Sequence, residues 1–225
     1  MSNNKILHEQ IGKNVYSTDT DGQLLLEFTD EIRNPKDAKK MKLKNRGVMA
    51  TAIAVKIFDY LESYNIPTLF VSQYGDREIL VKNTNNIPLE IVVHNYADEV
   101  YGKRVGLKAG TKLDIPATVI SSSDNNTDKK EITESELATS ELLSVDEVRM
   151  IKRVIMKVNA LLIAYFNRRN LLLVNYKIQF GKQKGQVLLN SEIIPEICTF
   201  ANKEDNLGKL SFQEKYNEIY NCLVY

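Results

Sequence analysis

The segment 175–196 carries residues whose types and spacing could do chemistry. It places Lys177 on one side of a predicted turn at Lys184-Gly185, and the carboxylates of Glu192 and Glu196 on the other side. A lysine attracts anionic ligands, and carboxylates are ligands that hard cations such as Mg²⁺ prefer. Amide and hydroxyl side chains occupy several of the other polar positions of the segment. The segment is therefore either a ligand site or the remains of one.

The overall composition narrows the class of protein. The chain has 225 residues, with 30 basic and 29 acidic side chains, so it lacks the broad basic field that binds nucleic acid. Its two cysteines, Cys198 and Cys222, lie in neither a CxxC motif nor a Cys/His cluster, which argues against a disulfide framework or a zinc site. The first residues do not read as a signal peptide, and no apolar run reaches about 18 residues. We expect a soluble cytoplasmic protein with no membrane or nucleic-acid partner.

The first part of the chain predicts a sheet with one helix laid on it. Asp21-Gly22 suits a tight turn between two strands, and apolar residues recur at three- and four-residue spacing from Val48 to Tyr64. Asn65 followed by Ile66-Pro67 ends this helical pattern. The predicted strands are Val15–Ser17, Gln23–Phe28, Leu69–Gln73, Glu78–Val81 and Leu89–His94.

The second part adds two helices and a long polar segment. Residues 121–140 lack a sustained apolar period, and we expect an exposed loop there that contains a short helical turn. Ser144 opens the capping box SVDE, and apolar residues then keep helical spacing as far as Asn170. A second capping box at Ser211 opens a C-terminal helix. The segment 175–196 therefore directly follows the most clearly predicted helix.

Several ordered blocks of sequence resemble one known family. They are GKNVYSTDTDGQLLLEF, IFDYLESYNIPTLF, REILVKNTNNIPLEIVVHNYA, GKRVGLKAGTKL, LLLVNYKIQFG and EIIPE. In this order they resemble the SAICAR synthetases (phosphoribosylaminoimidazole-succinocarboxamide synthases), over roughly the whole chain. The resemblance implies a two-lobed α+β fold with antiparallel sheets, packed helices and a nucleotide cleft between the lobes. We expect a β-rich lobe with one long helix at 1–85 and an α+β lobe at 86–225, which contains the exposed loop 121–140.

The resemblance also implies an activity and assigns site positions. The family joins a substrate carboxylate to the amine of aspartate, with ATP as the energy source. The implied catalytic residue is Lys177, and the implied substrate-binding residues are His94, Lys103 and Arg104. The implied nucleotide-binding residues are Lys13, Val15, Leu24, Lys82 and Glu90. Plainer interpretations stay open, because apolar residues of a hairpin are usually core, lysines and arginines are usually solvated, and a histidine at a strand end is usually structural.

The family's metal site is where the chain departs most. Gln179 and Ser191 stand where the family has a glutamate and an aspartate that look like magnesium ligands, so about two negative charges are missing. We therefore assign no metal ligand and expect Mg²⁺ to be poorly held. Glu192 and Glu196 are the carboxylates that remain nearby, and whether they rebuild a metal site stays open.

The substrate blocks have changed as well. His94 replaces a family arginine, and Asp98-Glu99-Val100 replaces a run of Ala-Gly-Ser. A phosphate pocket built from these positions would lose one cation and gain two carboxylates. Near the first long helix, Arg46 takes the place of a family lysine and keeps its charge.

Three functions remain in view. The leading hypothesis is a repurposed ATP-dependent carboxylate–amine ligase that acts on a substrate other than the purine intermediate and binds a nucleotide or another small anionic ligand. The alternative is a catalytically inactive protein that serves in binding or as a scaffold, because metal carboxylates and phosphate-binding cations are lost together. Authentic SAICAR synthesis is the third. The sequence leaves homo-oligomerisation open.

Overall fold

The structure, a computed structural model, describes residues 5–34, 39–123, 131–140, 142–202 and 211–224. The strands are β1 (Ile6–Gln10), β2 (Lys13–Ser17), β3 (Gln23–Phe28), β4 (Glu31–Arg33), β5 (Lys40–Lys42), β6 (Phe70–Gln73), β7 (Glu78–Lys82), β8 (Asn85–Asn86), β9 (Leu89–Tyr96), β10 (Lys112–Ser122), β11 (Leu171–Ile178), β12 (Phe180–Gln183), β13 (Gln186–Leu189) and β14 (Cys198–Asn202). The helices are α1 (Arg46–Ser63), α2 (Glu99–Val105), α3 (Glu134–Thr139), α4 (Val145–Asn167) and α5 (Phe212–Val224). The strand pairs are antiparallel, and helices pack on the sheets, which confirms the predicted α+β class.

The described residues divide into two compact units. The first contains those up to Thr84 together with α5, and the second contains those from Asn85 to Asn202. From the sequence, the C-terminal helix is expected in the second lobe, at 86–225. In the structure α5 packs against α1 instead, because the apolar stripe of Tyr216, Ile219 and Leu223 is buried in the first unit. In the described part of the chain, no helix has the length and apolarity needed to cross a bilayer.

The first unit is built on a five-stranded sheet in the order β1-β2-β3-β7-β6, with α1 on one face. The predicted hairpin is confirmed, since β2 and β3 pair across a turn that ends in Gly22 with a φ of 74°. Helix α1 buries Ile53, Ile57 and Leu61 against the sheet. The helix ends at Ser63, and Asn65 adopts a φ of 58°, which agrees with the predicted stop.

The second unit is built on a four-stranded sheet in the order β10-β9-β11-β14, with α4 packed against β11. A smaller sheet has the order β13-β12-β8. Both bonds of the predicted capping box form at the start of α4, where the side chains of Ser144 and Glu147 bind each other's backbone amides. The predicted apolar stripe of α4 is its buried face.

A buried pair of amide side chains joins α4 to the sheet. Asn159 donates to Asn95 Oδ1 at 2.9 Å, and Asn95 Nδ2 donates to Asn159 Oδ1 at 3.1 Å and to the Leu173 carbonyl at 3.2 Å. Both residues are at most 5% exposed. Because these polar groups satisfy one another away from water, they fix the position of α4 along the sheet.

The segment 121–140 is more ordered at its two ends than the sequence suggests. Residues 121 and 122 still belong to β10, and α3 spans Glu134–Thr139 behind a capping box formed by Thr133 and Glu136. Residues 124–130 of the predicted loop lie outside the described residues. Strand β10 lies at the edge of its sheet, and its pairing with β9 shifts register between Lys112 and Ala117, a stretch that contains Pro116.

Candidate functional site

Val15 and Leu24 lie on the face of the first sheet that carries the core. Their strands pair Val15 with Leu26 and Leu24 with Val81, so all four side chains share one face. Leu26 and Val81 are buried there, whereas Val15 and Leu24 are half-buried. Lys13 is half-buried on the same face, opposite Phe28. This placement is compatible with a pocket wall and also with the margin of the core, so their assignment to the nucleotide stays a prediction.

Lys82 lies at the end of β7 and is tied to the backbone before β6. Its Nζ atom donates to the Thr68 carbonyl at 2.8 Å. The Thr68 hydroxyl in turn donates to the Glu62 carboxylate of α1. Lys82 is opposite Gln23, and alternation along β7 puts it on the other face from Val81. The structure therefore does not bring Lys82 to the same sheet face as Val15 and Leu24.

Arg46 was noted in the sequence only as a preserved charge, yet it organises the turn between β1 and β2. It is 3% exposed, and its Nη1 atom donates to the carbonyls of Gly12 and Thr29, the second at 3.0 Å. Its guanidinium also lies over the Phe28 ring, 5.4 Å from the centroid. Gly12 has a φ of 97°, a conformation that favours glycine. The first turn of α1 thus fixes the β1–β2 turn.

A second set of contacts ties the start of α1 to the sheet. Arg77 binds Asp30 with two hydrogen bonds, at 2.8 and 3.0 Å, and the Gly47 amide donates to Asp30 Oδ1 at 2.9 Å. The Arg77 guanidinium is the main reason why the pKa of Asp30 lies below its ordinary value, and the Gly47 amide adds to the effect. This charged network holds the N-terminus of α1 beside β3 and β7.

Five residues of interest share one face of the second sheet, which we call the polar face: Glu90, His94, Asn175, Lys177 and Thr199. Strand pairing places Asn175 between His94 on β9 and Thr199 on β14. Glu90 and Lys177 follow on the same side by strand alternation. The opposite face is apolar and buried, with Ile91, Val93, Tyr176 and Ile178. The sheet thus brings together Glu90, His94 and Lys177, which come from two separate blocks of the sequence.

Within the polar face, the predicted catalytic lysine meets a predicted nucleotide-binding residue. Lys177 Nζ lies 3.4 Å from Glu90 Oε1, with side-chain exposures of 50% and 19%. An ion pair of this exposure contributes little to stability. Half of the lysine side chain is exposed, so an incoming anion can reach it. Their roles with ligands stay predictions.

His94 and Asp98 form the most constrained part of this region. Asp98 caps α2, with Oδ1 accepting from the Tyr101 amide at 2.7 Å, and its Oδ2 accepts from Asn175 Nδ2 at 2.7 Å. His94 Nδ1 lies 3.4 Å from the same Oδ2 atom, but the alignment does not make a hydrogen bond, and this buried nitrogen has no other hydrogen-bond partner among the described residues. The His94 ring stacks on Tyr101 with centroids 4.5 Å apart. Burial lowers the pKa of His94, while Asp98 opposes the shift.

The two predicted substrate-binding cations on α2 differ in their surroundings. Arg104 forms an ion pair with Glu131 and lies over the Tyr101 ring, 5.2 Å from its centroid. Lys103 is exposed to solvent. Consecutive helical residues do not face the same direction, so Lys103 and Arg104 do not form one clamp. Helix α2 is not predicted from the sequence, although Asp98 before it and Gly106 after it are ordinary start and stop signals.

The positions of the missing magnesium ligands do come together. The Gln179 backbone amide donates to Ser191 Oγ at 2.6 Å. Ser191 and Glu192 are each 8% exposed. Among the residues that the structure describes, no group of three or more His, Cys, Asp or Glu side chains could hold a metal. An amide and a hydroxyl that already accepts a backbone amide are weak ligands for Mg²⁺, so the residues present do not fit the expected ion.

Comparison with known proteins agrees with the fold and with the ordered blocks. The family model described as SAICAR synthetase matches residues 8–217. A phosphoribosylaminoimidazole-succinocarboxamide synthase from Caldanaerobacter subterraneus subsp. tengcongensis is 32% identical over 221 residues, which cover 97% of this chain and 94% of that protein. A SAICAR synthetase solved in complex with ADP is 29% identical, with a TM-score of 0.88 and 96% of each chain covered. The corresponding enzyme from Ehrlichia chaffeensis, 24% identical, shares the fold with a TM-score of 0.87 over 97% of this chain and 98% of that one. The chain belongs to the SAICAR synthetase family.

Proposed function

We propose that this chain is an ATP-dependent carboxylate–amine ligase that acts on a substrate other than the phosphoribosyl intermediate of its relatives. Family membership supports the reaction class, and the relative solved with ADP supports nucleotide binding. In that reaction a carboxylate takes the terminal phosphoryl group of ATP. The amine nitrogen then attacks the acyl carbon, and phosphate leaves.

The position of Asp98 is the observation that supports a substrate different from that of the relatives. Its carboxylate is held by the Tyr101 amide and the Asn175 side chain, at the place where the resemblance expects small residues of a phosphate pocket. A phosphate charge about 4 Å from a fixed carboxylate is repelled by about 4 kcal/mol per unit charge at the effective dielectric of a protein surface. His94, in the place of an arginine, is held near neutrality by burial, which lowers its pKa, and offers no compensating charge. A phosphorylated substrate is therefore disfavoured.

Nucleotide binding and turnover test the proposal directly. Calorimetry with ATP, ADP and AMP, each with and without magnesium, should detect binding of ATP. Release of ADP should then depend on the joint presence of a carboxylate and an amine from a mixed pool of both. Absence of nucleotide binding at millimolar concentration would refute the ligase. Growth of a strain that lacks SAICAR synthetase, when supplied with this chain, would refute the altered substrate.

A binding protein without turnover is the second candidate, and the neutral pair Gln179 and Ser191 favours it. The double change Gln179→Glu with Ser191→Asp separates the two candidates. It restores two carboxylates, and we expect a higher magnesium-dependent affinity for ATP. Release of ADP by the unchanged chain supports the ligase. If the unchanged chain binds ATP but only the double variant releases ADP, the result supports the binding protein without turnover. The single change Gln179→Glu is the matched control. An unchanged affinity in the double variant would mean that these positions do not face a nucleotide-bound metal.

A further inference from the structure

We propose that Asp98, His94 and Asn175 form a subsite for a positively charged nitrogen group of the substrate, an ammonium or a guanidinium. The binding of this cation does not depend on the proposed function, because the residues of the subsite suffice for it. Only the role of the bound group as part of a ligase substrate rests on the proposed function. Asp98 supplies the charge, and Asn175 and the α2 backbone hold it in place. The subsite lies at one end of the polar face.

The carboxylate of Asp98 is both fixed and accessible. It receives hydrogen bonds from two different elements, the Tyr101 amide of α2 and the Asn175 side chain of β11. Its side chain still has 28% of its surface exposed. A carboxylate can accept about four hydrogen bonds, so capacity remains for a donor from solution. A helix cap alone would need only the contact to Tyr101.

The charges around this carboxylate favour a cation over an anion. Two neighbouring basic groups have acidic partners, since Arg104 pairs with Glu131 and Lys177 pairs with Glu90, whereas Lys103 on α2 is exposed to solvent. Glu99, in the first turn of α2, is exposed and adds negative charge beside Asp98. With the two carboxylates of Asp98 and Glu99 against the one exposed lysine of α2, the net charge at the mouth of the subsite is negative.

His94 gives an independent indication that a ligand belongs here. It is 6% exposed, and its Nδ1 atom points to within 3.4 Å of Asp98 without an aligned hydrogen bond. Most buried polar groups of native proteins have a hydrogen-bond partner, so an unpartnered nitrogen beside a carboxylate calls for an explanation, and a bound group is one. Tyr101 and Arg104 on α2 and Asp98 at its cap are the titratable or charged groups that act on this ring. A neutral imidazole leaves the charge of Asp98 uncompensated for an incoming cation.

The chain offers a direct probe, because it contains only two histidines. The variant His8→Gln leaves His94 as the only imidazole, and His8 lies on exposed β1 in the other unit. Nitrogen-15 NMR of that imidazole is followed while n-propylammonium, n-propylguanidinium or inorganic phosphate is added at constant ionic strength. We expect saturable shifts with one or both cations, a lowered pKa of His94 when the cation is bound, and no saturable shift with phosphate.

Asp98→Asn tests the assignment, and Glu99→Gln is its matched control. Asparagine is as good a helix cap as aspartate, so the fold should persist. We expect Asp98→Asn to weaken cation binding about tenfold or more, which is the loss of one charge-assisted hydrogen bond, and Glu99→Gln to weaken it much less. Equal cation affinity in Asp98→Asn, or saturable phosphate binding by the unchanged residues, would overturn the inference. Since no nucleotide is present, a failed ligase assay and a failed cation titration remain distinct results.

Discussion

Gly47→Ala should destabilise the first unit, although alanine is normally favoured in a helix. A Cβ atom at this position would clash with the Phe28 carbonyl oxygen and would lie 2.5 Å from Arg77 Nη1. Helix propensity favours alanine by about 1 kcal/mol, whereas forcing an atom into a packed site costs about 1 to 3 kcal/mol. Moving α1 away also breaks the bond from the Gly47 amide to Asp30, worth about 1.5 to 3 kcal/mol for a charged acceptor. The expected net loss is about 1.5 to 5 kcal/mol.

Gly75→Ala is the matched control in the same unit. There the new Cβ would meet only the end of the flexible Glu78 side chain, which can rotate away, so a change below about 1 kcal/mol is expected. Hydrogen exchange across a urea series, read on peptides from α1, gives the free energy of unfolding of this unit for both variants. A Gly47→Ala variant that is as stable as the unchanged protein, or more stable, would show that α1 does not approach β3 this closely.

Three further changes test other contacts. Asn159→Leu should lower the free energy of unfolding, measured with denaturant, by about 2 to 4 kcal/mol because it leaves Asn95 Oδ1 without its hydrogen bond. The double variant Asn159→Leu with Asn95→Leu should lose less stability than the sum of the two single variants. The folded state lowers the pKa of Asp30, so the ionised carboxylate contributes stability above its unfolded pKa, near 4, and this contribution is lost on acidification. Asp30→Asn should therefore flatten the acid limb of a curve of stability against pH. An unaltered acid limb would show that the Asp30–Arg77 pair does not cause it. Tyr176→Phe should leave Tm unchanged or raise it by a few degrees, since the buried Tyr176 hydroxyl has no hydrogen-bond partner in the part of the chain that the structure describes; a fall of several degrees would reveal a partner for it.

The elements with strong local signals could be predicted from the sequence. The hairpin around Gly22 follows from its turn chemistry, and α4 follows from a capping box with a long apolar stripe. The seven-residue helix α2 was missed because it buries only Gly102, so it has no apolar period to detect. The packing of α5 on α1 was also missed, since a helix pattern shows which face is buried but not against which element.

The sequence supplied candidate site residues, whose roles stay predictions, but not the contacts between them. Resemblance placed Gln179 and Ser191 at related positions, and the structure puts them in direct contact. The sequence shows Asp98 only as a carboxylate added to a phosphate pocket. Its hydrogen bonds to α2 and to Asn175 depend on the pairing of β9 with β11. Such long-range contacts arise from sheet register, which a single sequence does not display.

Strand β10 has a consequence for the behaviour of the protein at high concentration. A sheet edge that carries an exposed apolar side chain such as Ile115, 78% exposed, can be a template on which other chains add strands and aggregate. Pro116 lacks the amide that such an added strand would need, and the pairing with β9 is irregular around it, so this part of the edge does not present a regular ladder. The proline thus interrupts the sheet edge directly beside its exposed isoleucine.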